Sequence, residues 1–252
     1  MADDKQPRPF DALGPPSDPI NFPRPQLIRG RRDNVLCFNP ETRQHEVVEN
    51  VLLRDPQRHG AVKFAYWRNP YREHINTIMG HVEICRVLER STTRKEEEED
   101  DDDDSEIEED DDDIVFQWTT RHVAVKVNYA TRMDQLRDRH AENPLFEIAA
   151  MQLLGQDPVN VLGAIEVLFD GQNLNVVMRY CGSGDLFQLL EDHQSRPEVS
   201  LRTPGLPEGL ARYWFRQLMQ GVAFVHSRGI CHRDLSPENV MIDGNDGLII
   251  DM

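Results

Sequence analysis

The chain has 252 residues, with 45 Asp and Glu against 28 Lys and Arg and a formal net charge of −17. Residues 96–113, EEEEDDDDDSEIEEDDDD, hold 16 of those acids in 18 positions, so the rest of the chain is close to neutral and the low pI describes one insert. No basic surface speaks for nucleic-acid binding, and no apolar run approaches the roughly 18 residues of a membrane span.

The N-terminus, MADDKQPRPF, has no apolar core of a signal peptide. Cys37, Cys85, Cys181 and Cys231 lie far apart and form no CxxC, which argues against a zinc site or a disulfide framework. Reduced thiols in an intracellular protein, cytoplasmic or nuclear, are expected.

Residues 1–33 are expected to be a disordered or extended leader, because proline removes backbone donors and blocks helix interiors. Residues 34–74 are expected to form a small β-rich extension, with a hairpin or strand pair around Asn39-Pro40-Glu41-Thr42. INTIMGHVEICRVL, residues 75–88, reads as strand, glycine-containing turn and strand. The acidic insertion follows, and its bland reading is a solvated loop; the alternative is a docking device for a basic partner. HVAVKV, residues 122–127, is β-rich.

A helix is predicted next. Asn143 suits its N-cap, Pro144 its first position and Gly155 its C′ residue, around the apolar stretch LFEIAAMQLL. Two strands, 161–169 and 174–180, flank an Asp170-Gly171 turn. From Gly184 the pattern becomes helical, and 208–227 places Leu210, Tyr213, Trp214, Leu218 and Val222 at helical spacing. Strands, one helix, two strands and then helices make an α+β arrangement, a β-rich lobe before a helical lobe.

The segment CHRDLSPENVMI carries the chemistry. His232-Arg233-Asp234 followed by Asn239 fits H-R-D-x-x-x-x-N and resembles the catalytic loop of protein kinases. Further matches fall in order: Val123-Ala124-Val125-Lys126 is similar to V-A-I-K, Glu147 to the helix glutamate that pairs with that lysine, Met178-Arg179-Tyr180-Cys181 to the interlobe hinge, and Leu248-Ile249-Ile250-Asp251-Met252 to the strand entering D-F-G. The resemblance covers roughly residues 75–252 and implies a two-lobed fold, with the N-lobe at 75–180 and part of a C-lobe at 181–252.

That resemblance implies a protein kinase of the serine/threonine type using ATP and Mg2+ on a protein hydroxyl. Asp234 would orient the hydroxyl, Lys126 would meet the phosphates and Glu147 would hold Lys126. Asn239 and Asp251 would bind magnesium. The Arg179 carbonyl and Cys181 amide would bond the adenine edge, beneath the hinge residue Met178, with Val82, Ala124 and Met241 around the ring and Asp185 at the ribose. Gly80 would be the last glycine of the phosphate loop.

Three departures stand against that pattern. Ile75 and Thr77 occupy the first two glycine positions, and side chains there hinder backbone approach to phosphate. Ser236 replaces the usual lysine two residues after Asp234. The chain stops at Met252, before the rest of the helical lobe, so a fragment of low stability and little activity is expected. A pseudokinase, an ATP-binding scaffold with an acidic interaction loop, is the alternative.

Overall fold

An asparagine turn pairs the first two strands. In the computed structural model, which describes residues 24–59, 62–91, 115–136, 144–155, 160–195, 205–244 and 246–249, strand β1 (Ile28–Asn39) runs antiparallel to β2 (Gln44–Arg54). The Asn39 side chain accepts from the N–H groups of Glu41 and Thr42, and Arg43 takes a left-handed φ of 55°. The strand begins at Ile28, inside the stretch expected to be leader, because Gly30 to Asp33 find partners in Arg54 to Val51.

One helical turn, α1 (Pro56–His59), leads to β3 (Phe64–Arg68). The short β4 (Ile75–Asn76) and the long β5 (Gly80–Arg90) then form the expected strand, turn and strand. Beyond the acidic run, which lies outside the described residues, come β6 (Val115–Tyr129), α2 (Ala130–Leu136) and α3 (Pro144–Leu154). Asn143, the expected N-cap of α3, is also outside the described residues. Gly155 ends α3 with φ +71° and an N–H bonded to the Met151 carbonyl at 3.2 Å, the left-handed cap its sequence suggested.

The strands β7 (Ala164–Phe169) and β8 (Asn173–Arg179) form a hairpin around Asp170 and Gly171, with Gly171 at φ +98°. All eight strands belong to one sheet, ordered β3-β2-β1-β7-β8-β6-β5-β4. It closes on itself, because β3 also pairs with β5 and the start of β6 pairs with β1. The β-rich stretch expected over 34–74 is therefore hydrogen-bonded into the sheet that bears Lys126.

Closure buries one face of the long strands. Cys85 and Val87 of β5, Val123, Val125 and Val127 of β6 and Leu52 and Tyr66 of the early strands pack in its interior. Two buried carboxylates enclosed there find partners, as burial requires. Tyr66 donates its hydroxyl hydrogen to Glu166, which also binds Arg54 Nε at 2.7 Å. Glu83 accepts from Arg68 at 3.1 Å and meets His81 at 2.7 Å. On the other face Ile148, Met151 and Leu154 of α3 are buried, the first two against Ala164, Val167, Val176 and Met178.

The helical part holds α4 (Leu186–Gln194), α5 (Glu208–Ser227) and the hairpin of β9 (Val240–Asp243) and β10 (Asp246–Ile249). The length of α5 agrees with its periodicity, but its covering differs. Gly221 and Val225 are its buried residues, while Leu210 and Tyr213 are 37% and 44% exposed. Trp214 and Leu218 instead line a hollow with Leu186, Leu190, Val240 and Gly247.

Candidate active site

Strand register builds the first half of the site. On β6, Ala124 and Lys126 point to the face opposite the closed interior, since side chains alternate along a strand. Their partners are Ile84 and Val82 on β5, and Met178 and Val176 on β8. Glu147 stands in the first turn of α3, over this face. The Lys126 ammonium donates to Glu147 Oε1 at 2.6 Å, and the side chains are 14% and 18% exposed. A charge pair so little hydrated is electrostatically stronger than one at the surface. The pairing that the resemblance implied is thus present in the geometry.

The second half is the loop after α5. Val225 and Ile230 pack with Ala150 and Leu154 of α3 and with Val161, tying the base of the loop to the helix that carries Glu147. Arg233 adopts φ +67°, a left-handed conformation that costs a non-glycine residue on the order of 1–3 kcal/mol. His232 beside it is buried, and Asp234 is exposed. After one 3-10 turn over Pro237–Asn239, the Asn239 carboxamide nitrogen donates to both the carbonyl and Oδ2 of Asp234, each at 2.9 Å. The amide oxygen of Asn239 is left as the atom suited to a hard cation.

The two halves meet at the segment after β8. Ser183 donates to the Ile242 carbonyl at 3.2 Å and Ile242 to the Gly184 carbonyl at 2.9 Å, so β9 lies against this segment. Asp185 and Met241 form a bridge. Met241 and Ala124 consequently join Met178 and Cys181 in one apolar cluster with Met79. Burial, and next the nearby Asp243 carboxylate, push the Cys181 thiol up to about 11, so it stays protonated.

Two expected nucleotide residues have structural work of their own. Asp185 N-caps α4, accepting from Gln188 N–H at 2.7 Å. Gly80 closes a tight turn in which its N–H donates to Thr77 Oγ1 at 3.1 Å and Thr77 N–H to its carbonyl at 3.0 Å. A Cβ at Gly80 would stand 1.9 Å from the Val127 carbonyl oxygen, so glycine is required there by the neighbouring strand. That packing accounts for the glycine by itself, and its N–H is bonded within the turn. Val82 is half-buried beside Lys126, Arg179 is exposed and within 3.8 Å of Asp243, and Asp251 lies outside the described residues.

Sequence reasoning passed over Met79. It is packed in the cluster that includes Ala124 and Met178, and its carbonyl accepts from Tyr129 N–H at 3.0 Å. A lone methionine in an unclear loop carries no periodic signal, so only tertiary packing reveals it.

A family model described as the protein kinase domain matches residues 113–251, more than half of the chain. The chain belongs to the protein kinase family. The kinase match begins after β5, so the early strands that close the sheet lie outside it. Among relatives, CBL-interacting serine/threonine-protein kinase 16 of Arabidopsis thaliana is 40% identical over 102 residues, 40% of this chain and 19% of that protein. Serine/threonine-protein kinase chk1 of Schizosaccharomyces pombe is 43% identical over 75 residues, 30% of this chain and 13% of that one. CBL-interacting serine/threonine-protein kinase 15 of Arabidopsis thaliana is 36% identical over 128 residues, 51% and 27% of the two chains. The stretches that this chain shares with them thus span about a quarter or less of these relatives' own lengths. No described helix is long and apolar enough to cross a membrane.

Proposed function

We propose that the protein is a serine/threonine kinase that moves the γ-phosphoryl group of ATP to a protein hydroxyl. The observation that carries this reading is the Lys126–Glu147 pair at 2.6 Å, in register with the apolar surface of Val82, Ala124 and Met178. The residues fit a nucleotide. The apolar cluster suits a flat base, the fixed ammonium suits phosphate oxygens, and the Asn239 amide oxygen suits magnesium. Asp251 would be the other metal ligand. Bound magnesium supplies positive charge that offsets the charge spread over the phosphoryl oxygens.

The chain's own residues do the rest by placement. Lys126 stays aimed because Glu147 holds it. Asp234 accepts the hydrogen bond of the attacking hydroxyl, and Asn239 fixes its carboxylate from behind. The Arg179 carbonyl and the Cys181 N–H offer one acceptor and one donor at the hinge. Serine or threonine substrates fit the Pro237-Glu238 variant of the loop.

A second reading rests on the Thr77–Gly80 turn. The N–H groups of Thr77 and Gly80 bond within the turn and Met79 packs inward, which leaves fewer backbone donors for phosphate. With Ser236 in the lysine position, that favours a pseudokinase that binds nucleotide and transfers slowly or not at all. The acidic run would then serve as a docking loop for a basic partner.

One assay separates them. ATP transfer to a serine-containing protein is compared between the protein and its Lys126→Met variant. Loss of transfer in the variant supports the kinase. Equal signal from both would sink it, and magnesium-dependent ATP binding without transfer would favour the second reading.

A further inference from the structure

Helix α3 is held from a side that the chemistry does not use. The segment just before β1 crosses it, and Gln152 makes a reciprocal pair with the backbone there. Gln26 N–H donates to Gln152 Oε1 at 2.8 Å, and Gln152 Nε2 donates to the Gln26 carbonyl at 2.7 Å. The next residue, Leu27, is half-buried in the cluster of Ile148 and Met151 beneath the helix. Ile28 and Arg29 then pair in parallel with Leu168 and Phe169 of β7.

We infer that residues 26–29 form a strap that positions α3, with Gln152 and Leu27 as positioning residues for Glu147. The inference rests on the kinase reading for its consequence, though not for its geometry. Gln152 follows Glu147 by five residues, which is about 140° around a helix of 3.6 residues per turn. Glu147 therefore faces Lys126 while Gln152 faces the strap, and the helix is gripped from both sides. The last turn of α3 is also seated closely: a Cβ on Gly163 would stand 1.7 Å from the Gly155 carbonyl oxygen. Release of the strap removes the support behind α3, so that the helix, and Glu147 with it, tilts away from Lys126.

The strap belongs to the part of the chain outside the family match, and it is continuous with β1, which is paired along its length with β2. The early strands thus gain a task beyond closing the sheet. They deliver a peptide to the back of the helix that carries Glu147.

The test uses the full chain with two variants, Gln152→Met and Leu27→Ala. The first removes both hydrogen bonds at constant helix propensity, and the second removes the apolar anchor. Amide exchange read by mass spectrometry is expected to quicken roughly tenfold across Leu145 to Leu154 in each variant, with β5, β6 and β8 unchanged. In the transfer assay kcat/KM for ATP is expected to fall by a similar factor, while KM for the protein substrate holds. Unchanged exchange in α3 for both variants would overturn the strap. So would exchange that rises equally over the whole sheet, which would mark a general loss of stability. If the wild-type chain transfers no phosphate, the kinase reading fails, and the exchange measurement alone still decides whether the strap holds α3.

Discussion

The Asn239 side chain donates two hydrogen bonds to Asp234, one to its carbonyl and one to its carboxylate, both at 2.9 Å. The two residues are exposed or half-buried, so water competes for every one of these groups. Their mutual bonds keep the carboxylate of an otherwise open loop in one rotamer. Asn239→Ala is expected to lower kcat by roughly 100-fold, on the scale of deleting one preorganised donor, with KM for the protein substrate little changed. Steady-state kinetics check this, and an unchanged kcat would contradict it.

Glu147 holds Lys126 in a weakly hydrated place. Breaking a buried ion pair from one side costs about 3–5 kcal/mol, and water access at this partly exposed pair brings the cost to the low end of that range. Glu147→Gln keeps the shape and removes the charge. A rise in KM for ATP together with a fall in kcat is expected, whereas a purely structural glutamate would lower the melting temperature and leave KM alone.

Gly80 discriminates between a phosphate loop and a packing glycine. Gly80→Ala would press a methyl group onto the Val127 carbonyl, 1.9 Å from the ideal Cβ, so β5 or β6 must shift. Overpacking of this kind costs about 1–3 kcal/mol. The melting temperature is expected to drop by several degrees, read by calorimetry. A normal melting curve with a raised KM for ATP would return Gly80 to the phosphate site.

Thiol labelling reports the closed sheet. Burial first, and then Glu46 for Cys37 and Glu83 for Cys85, push both thiols up to about 12. Cys181 is also buried and raised, and Cys231 is exposed. At pH 8 iodoacetamide is expected to modify Cys231 rapidly and the other three only after denaturation. Fast labelling of Cys85 would mean that β3 does not seal the sheet against β5.

Acid should loosen the β7–β8 turn. Burial alone would raise the Asp170 pKa, but hydrogen bonds from Asn175 and from the N–H groups of Gln172 and Asn173, with the Arg32 charge, hold the carboxyl below its usual range. A lowered folded pKa means stability that is fully present above the unfolded value of about 3.9 and is lost as pH falls through the folded one. The urea midpoint is expected to fall below about pH 4, and Asp170→Asn should flatten that dependence. An equal slope in both proteins would assign the acid lability elsewhere.

The placement of the acidic insert illustrates how local reasoning can reach a tertiary fact. Ser91 and Val115, which flank it, are hydrogen-bonded at 2.7 Å at the far end of β5 and β6 from the Gly80 turn. Strands that alternate direction must put successive turns at opposite ends, so this was legible from the order of strands. A strand of eleven residues spans roughly 35 Å, several screening lengths at physiological salt. The insert's two flanks therefore lie at the end of the sheet away from the Gly80 turn and several screening lengths from it.

By itself the sequence determined the elements and the chemistry that has short-range signatures. The Asp170-Gly171 hairpin, the glycine cap of α3, the length of α5 and the spacing within His232 to Asn239 are set by backbone preferences and side-chain reach over a few residues. Only the tertiary structure decided that β3 meets β5 to close the sheet, that Leu27 and Gln152 bind the first strand to α3, and that Gly80 answers to Val127. These are contacts between segments far apart in the chain. No periodicity or cap encodes them, because each depends on which faces are left to bury once the local elements have formed.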